Sequence, residues 1–230
     1  MTTIVSDDEW RVARLELLKE EKALQRERDR VASARRALPW RRVSGDYRFA
    51  SEHGERGLAD LFGEASQLLV YHFMYHPDWD EGCKSCSFWA DGYNGVQAHL
   101  KARDACLVAV SRGPLEKLLA YRERMGWTFP WVSSADNSFN REFGVSFTRT
   151  EIDAGDADYN YRKTQQIGEE MPGLSVFRKE DGEIYHTYST YSRGLDPFNT
   201  AYQLLDLTPK GRDEDDLQYT MEWLRRSDEY

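Results

Sequence analysis

The chain has 230 residues, of which 40% are hydrophobic and 31% are charged. This size supports one sizeable α/β domain with appendages and is short for two independent cores. The formal net charge of −9 argues against a nucleic acid as the main partner, because binding phosphates requires a basic surface. No apolar run reaches the roughly 20 residues of a membrane span. The amino terminus lacks the basic and apolar regions of a secretory signal, so we expect no membrane association and a cytoplasmic location.

Residues 6 to 37 are predicted to form one long helix. Ser6, with Glu9 three residues later, is a capping box that favours a helix start. A narrow apolar stripe follows at intervals of seven residues, but the intervening d-type positions are poor, so a sustained coiled coil is not predicted. The stripe can pack on its own domain or pair with a second subunit, which leaves a homodimer through this helix open. Its members are Trp10, Leu17, Leu24, Val31 and Leu38.

Two apolar runs predict buried central strands. Residues 67–75 form a continuous run that is typical of a strand buried on both faces. A helix is expected to begin near Cys83 and to reach Asp104 in two pieces, because glycines interrupt its middle. The second buried strand is predicted at residues 105–110, and a short helix is expected before the first strand, at residues 58–62.

The second half of the chain predicts a helix, a third strand and a hairpin. Pro114 is suited to the first turn of a helix that stops at Gly126. A strand fits residues 128–132. Residues 134–170 have mixed helical and irregular character. The last predicted elements are strands at 174–178 and 183–191 joined by a turn around Asp181-Gly182, a charged linker at 209–216 and an amphipathic helix at 217–226.

This order of elements predicts an α/β fold with a mixed sheet covered by helices. We expect a helical extension at residues 1–40, a main domain at 41–210 and a closing helix within 211–230. Cys83 and Cys86 follow the first central strand, and open α/β sheets place their sites at the carboxyl ends of their strands.

The spacing Cys83-Lys84-Ser85-Cys86 predicts thiol–disulfide exchange. A thiolate is the nucleophilic form of cysteine, and the unpaired N–H groups at the start of a helix favour the anion. Cys83 is therefore the predicted attacking thiolate, and Cys86, one turn later, is the predicted resolving thiol. Lys84 adds a favourable charge. Asp80 and Glu81 oppose the thiolate.

Metal binding is the first alternative for this motif. One C-x-x-C is half of a zinc site, and the chain has no second such pair; Cys106 falls in a predicted buried strand, where it is read as a small apolar residue. His72 is expected to point into the sheet packing. A non-enzymatic zinc or interaction module therefore stays an alternative, and the preferred reading needs no metal or other cofactor.

Short motifs are spread along nearly the whole chain: YHFM at 71–74, PDWDEGC at 77–83, CSFWAD at 86–91, AVSR at 109–112, MGW at 125–127, FPWVSS at 129–134, FN at 139–140, HTYSTY at 186–191, RGLD at 193–196 and LTPKGR at 207–212. Together these motifs resemble one known family, domain of unknown function 899. Its members are described as predicted dithiol–disulfide oxidoreductases of the thioredoxin-like superfamily. The resemblance implies a thioredoxin-like fold for the main domain.

A second set of segments consists of VAVS at 108–111, Pro114, FP at 129–130 and FGV at 143–145, with Cys83 directly after Gly82. More distantly, this framework resembles that of peroxiredoxins, the branch of the fold that we expect. Peroxidase activity with Cys83 as the peroxidatic residue is therefore the second reading. That chemistry requires a threonine three residues before the cysteine, where this chain has Asp80. It also requires an arginine against the cysteine, for which Arg112 and Arg193 are the candidates.

Several further residues are predicted to support the site. In a thioredoxin-like sheet, Pro172 would be a cis-proline that packs against the dithiol and presents a backbone edge to the substrate. Trp79 and Trp89 flank the dithiol and either shape a substrate surface or pack the helix on the sheet. His76 is a candidate proton acceptor. Residues 148–170 form either a lid over Cys83 or a peripheral insertion. The expected partner is a protein or small molecule with a thiol or disulfide.

Overall fold

The computed structural model describes residues 3–230. The chain divides into two units, and the boundary between them falls after Pro39. Among the described residues, no helix is both long enough and apolar enough to cross a membrane. The cytoplasmic location stays a prediction.

The first unit contains the long helix α1, Asp7–Arg36. Its start is the predicted capping box: the Ser6 N–H donates to the Glu9 carboxylate at 2.9 Å, and the Glu9 N–H donates to the Ser6 hydroxyl at 3.4 Å. Three acidic residues in its first turn and two basic residues in its last complement the helix dipole. The predicted helix is confirmed, and its pairing with a second subunit stays a prediction.

The second unit contains a mixed sheet and a set of short helices. In chain order its strands are β1 Arg41–Arg42, β2 Arg48–Ser51, β3 Gly54–Gly57, β4 Gln67–His72, β5 Ala105–Ser111, β6 Trp131–Ser133, β7 Asp158–Tyr159, β8 Arg162–Lys163, β9 Gly173–Glu180 and β10 Glu183–Tyr191. Its α-helices are α2 Lys84–Ala90, α3 Gln97–Lys101, α4 Leu115–Arg124, α5 Phe139–Glu142, α6 Arg149–Ala154 and α7 Thr200–Leu205. Short 3₁₀ helices cover Leu58–Phe62, Asp91–Tyr93, Ser192–Phe198 and Ser227–Glu229.

The main sheet has eight strands in the order β1-β10-β9-β4-β5-β6-β2-β3. The central strands β4, β5 and β6 run parallel, and β9 lies antiparallel to β4 on the other side. Helices α2 and α3 connect β4 to β5, and α4 connects β5 to β6, as parallel neighbours require. The predicted mixed sheet flanked by helices is therefore confirmed.

The alternation of side chains along β4 divides the core into two layers. Leu68 and Val70 pack into one layer, and Tyr71 and the following Phe73 pack into the other, because successive side chains of a strand point to opposite faces. His72 is 1% exposed and bonds the Ser175 hydroxyl at 2.8 Å through Nε2, so its predicted place in the sheet packing is confirmed. The dithiol helix α2 covers the layer of Tyr71 and Phe73.

The hairpin of β9 and β10 forms around the predicted Asp181-Gly182 turn. Both residues have positive φ, 52° and 81°, which is the conformation of a two-residue type I′ turn. The third central strand begins at Trp131 rather than at residue 128, and the helix after Cys83 is interrupted as its glycines predict.

The carboxyl-terminal residues depart from the predicted helix at 217–226. They form successive turns, and Met221 has a positive φ of 67°. The carboxylate of Glu214 stabilises these turns: it accepts hydrogen bonds from the Met221 N–H at 2.9 Å, the Trp223 indole at 2.7 Å and the Tyr202 hydroxyl at 2.8 Å. Such bonds compete with the helical preference that the amphipathic pattern indicates.

Residues 134–170 contain α5, α6 and the small ribbon of β7 and β8. Around them lies a third apolar cluster that includes Val145, Ile152 and Tyr159. The Tyr159 hydroxyl donates to the Pro172 carbonyl at 2.8 Å and accepts the Ser192 N–H at 3.0 Å. The segment is therefore tied to the carboxyl edge of the sheet, and its action as a lid over Cys83 stays a prediction.

Candidate functional site

The loop between β4 and α2 folds back on itself and brings Cys83 to the end of the central strand. The Cys83 N–H donates to the Met74 carbonyl at 3.2 Å, and the Met74 N–H donates to the Cys86 sulfur at 3.4 Å. Gly82 fits tightly before Cys83, since a Cβ there would lie 2.8 Å from Phe73 and 2.9 Å from Tyr121. Met74 thus closes the loop through one hydrogen bond with the Cys83 backbone and one with the Cys86 sulfur.

Cys83 occupies the cap position of α2 and is half-buried. Its sulfur accepts the Cys86 N–H at 3.5 Å. A hydrogen bond from the Cys86 thiol, together with the N–H groups of Cys86 and Ser85, lowers the Cys83 pKa to about 6 against the opposing effect of burial. Donors aimed at the sulfur stabilise its anion, so the surroundings of Cys83 favour the thiolate form.

Cys86 has the opposite character. It is 2% exposed, and burial raises its pKa well above the ordinary value, with further contributions from its hydrogen bond to Cys83 and from the negative charge there. The Tyr71 hydroxyl donates to the Cys86 carbonyl at 3.2 Å and fixes the turn behind it. The pair therefore consists of a half-buried cysteine with a lowered pKa and a buried cysteine with a raised pKa.

The acidic residues before Cys83 oppose the thiolate less than the sequence predicts. The Glu81 carboxylate forms ion pairs with Arg124 and with Arg226, the latter at 2.9 Å. Asp80 is exposed, and its backbone carbonyl accepts the Tyr75 hydroxyl at 2.8 Å. The prediction that this acidic surrounding works against a Cys83 thiolate is corrected for Glu81, because its charge is already paired.

Trp79 and His76 lie on the same loop. The Trp79 ring is 37% exposed and its centroid lies 6.1 Å from that of the His76 ring, while the Trp79 carbonyl accepts a hydrogen bond from Lys117 at 2.9 Å. The His76 Nδ1 accepts the Asp78 N–H at 3.2 Å. Contact of Trp79 with a substrate and the role of His76 as a proton acceptor both stay predictions.

Trp89 takes the packing role that the sequence left open. It is 7% exposed, and its indole N–H donates to the Leu195 carbonyl at 2.9 Å. Its ring meets Tyr202 edge-on, with the centroids 5.9 Å apart. Trp89 therefore anchors α2 to the core and presents no surface to a substrate.

Pro172 lies at the sheet edge where the dithiol loop begins. Gly173 pairs with His72, so in the antiparallel register Pro172 stands beside Phe73, the first residue of the loop. No peptide bond within residues 3–230 is cis, and the cis-proline predicted from the fold is therefore wrong. Contact of Pro172 with a substrate stays a prediction.

The two arginines predicted as peroxide ligands have other partners. Arg112 forms an ion pair with Glu170 at 2.8 Å. Glu170 is 2% exposed, and burial raises its pKa to about 7. Arg193 pairs with Asp196 at 2.8 Å, and its side chain is mostly exposed.

Cys106 lies far from this edge, at the start of β5. Its thiol contacts the backbone carbonyls of Leu61 and Phe62 at 3.6 and 3.5 Å, and burial raises its pKa to about 11. This agrees with the predicted structural role. Cys83, Cys86 and Cys106 are all free thiols. Across residues 3–230, no three His, Cys, Asp or Glu side chains are grouped so that they could hold a metal ion.

Sequence reasoning missed the residues that hold the dithiol from a distance. Arg226 lies 144 residues from Gly82, yet it donates to the Gly82 carbonyl at 3.0 Å and to the Tyr121 hydroxyl at 2.7 Å. Neither Arg226 nor Tyr121 belongs to a local sequence motif. In the sequence, the basic pair Arg225-Arg226 follows the apolar pair Trp223-Leu224. This pattern indicates a segment that packs on the rest of the protein, but it does not indicate which residues the segment contacts.

Comparison with known proteins identifies the family and the fold. The model of a family described as "Bacterial protein of unknown function (DUF899)" matches residues 1–230, which confirms the resemblance seen in the sequence. None of the curated proteins compared with the chain matches it.

Several solved structures are similar to the chain. They include a Cys-to-Ser variant of peroxiredoxin Q from Xanthomonas campestris, at 14% identity over 74% of this chain and 97% of that chain with a TM-score of 0.50. Peroxidoxin BcpB from Mycobacterium tuberculosis is 13% identical over 73% of this chain and 97% of its own, with a TM-score of 0.49. At such identities the likeness concerns the fold alone. The chain has a thioredoxin-like fold, as predicted, and that fold is similar to the fold of the peroxiredoxin Q variant.

Proposed function

The chain belongs to the family of bacterial proteins of unknown function DUF899, and within that family we propose that it acts as a thiol–disulfide oxidoreductase. The observation that carries this proposal is the unequal pair of thiols. Cys83 is reachable and has a lowered pKa, whereas Cys86 is buried one helical turn behind it and has a raised pKa. Thiol–disulfide exchange requires such a pair, because one accessible thiolate attacks the substrate disulfide and a second, nearby thiol then resolves the mixed disulfide.

In the first step, the Cys83 thiolate attacks one sulfur of a substrate disulfide. A bond forms between Cys83 and that sulfur, the substrate S–S bond breaks, and the other substrate sulfur leaves as a thiolate. The product is a mixed disulfide between the chain and half of the substrate. Because exchange proceeds through such an intermediate, its rate depends on the thiolate fraction of the attacking cysteine.

In the second step, Cys86 transfers its proton to water and attacks the Cys83 sulfur. The mixed disulfide breaks, the second substrate sulfur leaves as a thiolate, and a Cys83–Cys86 disulfide forms. The substrate has gained two electrons and the chain has lost two. Formation of the mixed disulfide itself prepares this step, since it removes the Cys83 charge that contributes to the raised pKa of Cys86.

The reaction needs no resident metal or organic cofactor in either step. A thiol donor outside the chain would return the disulfide to the dithiol, and the reverse direction would oxidise a substrate dithiol. Trp79, which is 37% exposed on the dithiol loop, is a candidate contact for the substrate. A peroxidase is less well supported because Arg112 and Arg193 are each paired with a carboxylate.

A comparison of two oxidants tests the proposal. The reduced chain would be mixed with a model disulfide protein in one experiment and with hydrogen peroxide in another, and the loss of thiols would be followed by mass spectrometry. We expect the disulfide protein to be reduced with the loss of two thiols and the formation of a Cys83–Cys86 disulfide within one chain. Rapid oxidation of Cys83 by peroxide, with negligible exchange with the disulfide protein, would instead establish the peroxidase.

A further inference from the structure

The carboxyl-terminal turns place Arg226 against the loop that connects β4 to α2. The Arg226 side chain is 15% exposed, and three of its contacts meet residues on or behind this loop. Its Nη2 donates to the Gly82 carbonyl at 3.0 Å, and the same nitrogen lies 2.9 Å from the Glu81 carboxylate. Its Nε donates to the Tyr121 hydroxyl at 2.7 Å.

A second route leads from Arg226 to the other side of Cys83. The Tyr121 oxygen accepts from the guanidinium, so its own proton is available for the Ser87 hydroxyl, 2.9 Å away. Ser87 in turn donates to the Cys83 carbonyl at 3.0 Å. This directional chain and the direct bond to Gly82 engage both backbone carbonyls that flank the Cys83 side chain.

The backbone of Cys83 determines where its sulfur lies. Cys83 has φ −56° and ψ 124°, outside the helix, and the bond from the Cys86 N–H to its sulfur is already long at 3.5 Å. A small rotation of the 82–83 peptide would carry the sulfur away from these donors, because hydrogen bonds weaken quickly with distance and angle. Groups that fix the two carbonyls therefore fix the sulfur.

The guanidinium also removes an adverse charge. Glu81 lies two residues before Cys83, and an unpaired carboxylate there would disfavour the thiolate. Arg226 and Arg124 both pair with it. A planar guanidinium can bind a carboxylate, a carbonyl and a hydroxyl at fixed angles, whereas a lysine offers a single point of charge.

We propose that Arg226 is a positioning residue of the dithiol site, which holds the Gly82–Cys83 turn and neutralises Glu81 so that the Cys83 sulfur stays against its hydrogen-bond donors. The inference rests on the proposed function, in which Cys83 is the attacking thiolate. It assigns to the carboxyl-terminal segment a direct part in the reactivity of a cysteine more than half the chain away.

The test measures the pH at which Cys83 reacts at half its maximal rate with iodoacetamide, read peptide by peptide in the full-length chain. We expect Arg226→Gln to raise this midpoint by about one pH unit, the size of a weakened hydrogen bond to a charged group. Arg225→Gln is the matched control, because Arg225 carries the same charge on an exposed neighbouring position. It should leave the midpoint unchanged.

A second variant guards against loss of folding. Tyr121→Phe keeps the aromatic ring but removes the hydroxyl that links Arg226 to Ser87, and we expect a smaller upward shift of the midpoint, about half a unit. Thermal unfolding is measured on every variant. A folded Arg226→Gln protein with an unchanged midpoint would overturn the proposal, as would an unchanged midpoint in Tyr121→Phe if Arg226→Gln fails to fold.

The same data separate this inference from the proposed function. If the unmodified chain has a Cys83 midpoint near that of an ordinary thiol, about 8.5, the proposed function is wrong. If its midpoint is low and Arg226→Gln leaves it low, only the positioning role of Arg226 is wrong.

Discussion

The two ends of the parallel strands carry cysteines in contrasting surroundings. At the carboxyl end of β4, Cys83 has hydrogen-bond donors aimed at its sulfur, and its pKa falls to about 6. At the start of β5, Cys106 meets backbone carbonyls, which accept hydrogen bonds and donate none, and burial raises its pKa to about 11. At Cys83 the hydrogen-bond donors outweigh the effect of burial on the pKa, whereas at Cys106 burial determines the direction of the shift.

The largest expected effect comes from replacing the nucleophile. Cys83→Ser should lower the rate of disulfide reduction on the order of a thousandfold or more, because a serine hydroxyl is a far weaker nucleophile than a thiolate. Cys106→Ser serves as the matched control and should retain activity near that of the unmodified chain. Both variants are assayed with an insulin-type disulfide substrate. If Cys83→Ser reduced it as fast as Cys106→Ser, Cys83 would not be the nucleophile and would not differ in function from Cys106.

A pair of substitutions at Cys86 separates its two roles. Cys86→Ala removes the donor to Cys83 and should raise the Cys83 pKa by about one to two units, the size of one hydrogen bond to a charged group. Cys86→Ser keeps a donor and should leave that pKa nearly unchanged. Both variants should accumulate the mixed disulfide, which mass spectrometry detects. Equal pKa values for Cys83 in the two variants would show that the thiol of Cys86 does not stabilise the thiolate.

The last prediction needs no substitution and concerns how the alkylation rates of Cys83 and Cys106 depend on pH. Since the Cys83 pKa is lowered to about 6, its thiolate is fully formed at pH 8 and is lost as the pH falls through 6. Cys106, with a pKa of about 11, should still become more reactive between pH 8 and pH 10. Alkylation rates of both residues in one sample check this, and coincident midpoints would contradict the assigned surroundings.

Local patterns predict the parts of this fold whose forces are local. Three predicted features depend only on residues that are neighbours in the sequence, and all three are confirmed. They are the capping box of Ser6 and Glu9, the apolar run that becomes β4 and the Asp181-Gly182 turn. The pair of Cys83 and Cys86 is recognised for the same reason, because its spacing already implies the contact.

The features that could not be predicted depend on distant partners. The turns around Trp223 are stabilised by Glu214, which also accepts a hydrogen bond from Tyr202 outside the predicted helix. Arg226 reaches Gly82 across 144 residues, and the charge of Glu81 is paired by residues that no local pattern connects to it. An expectation taken from the fold is also wrong, because the peptide bond before Pro172 is trans.

Gly82 has a consequence for how this site can diversify. Its α-carbon faces the rings of Phe73 and Tyr121, so any larger residue would collide with the core. Lys84 and Ser85, in contrast, are only half-buried and have room for other side chains. A mutational library aimed at new substrates should therefore find its tolerated variants after the nucleophile and almost none immediately before it.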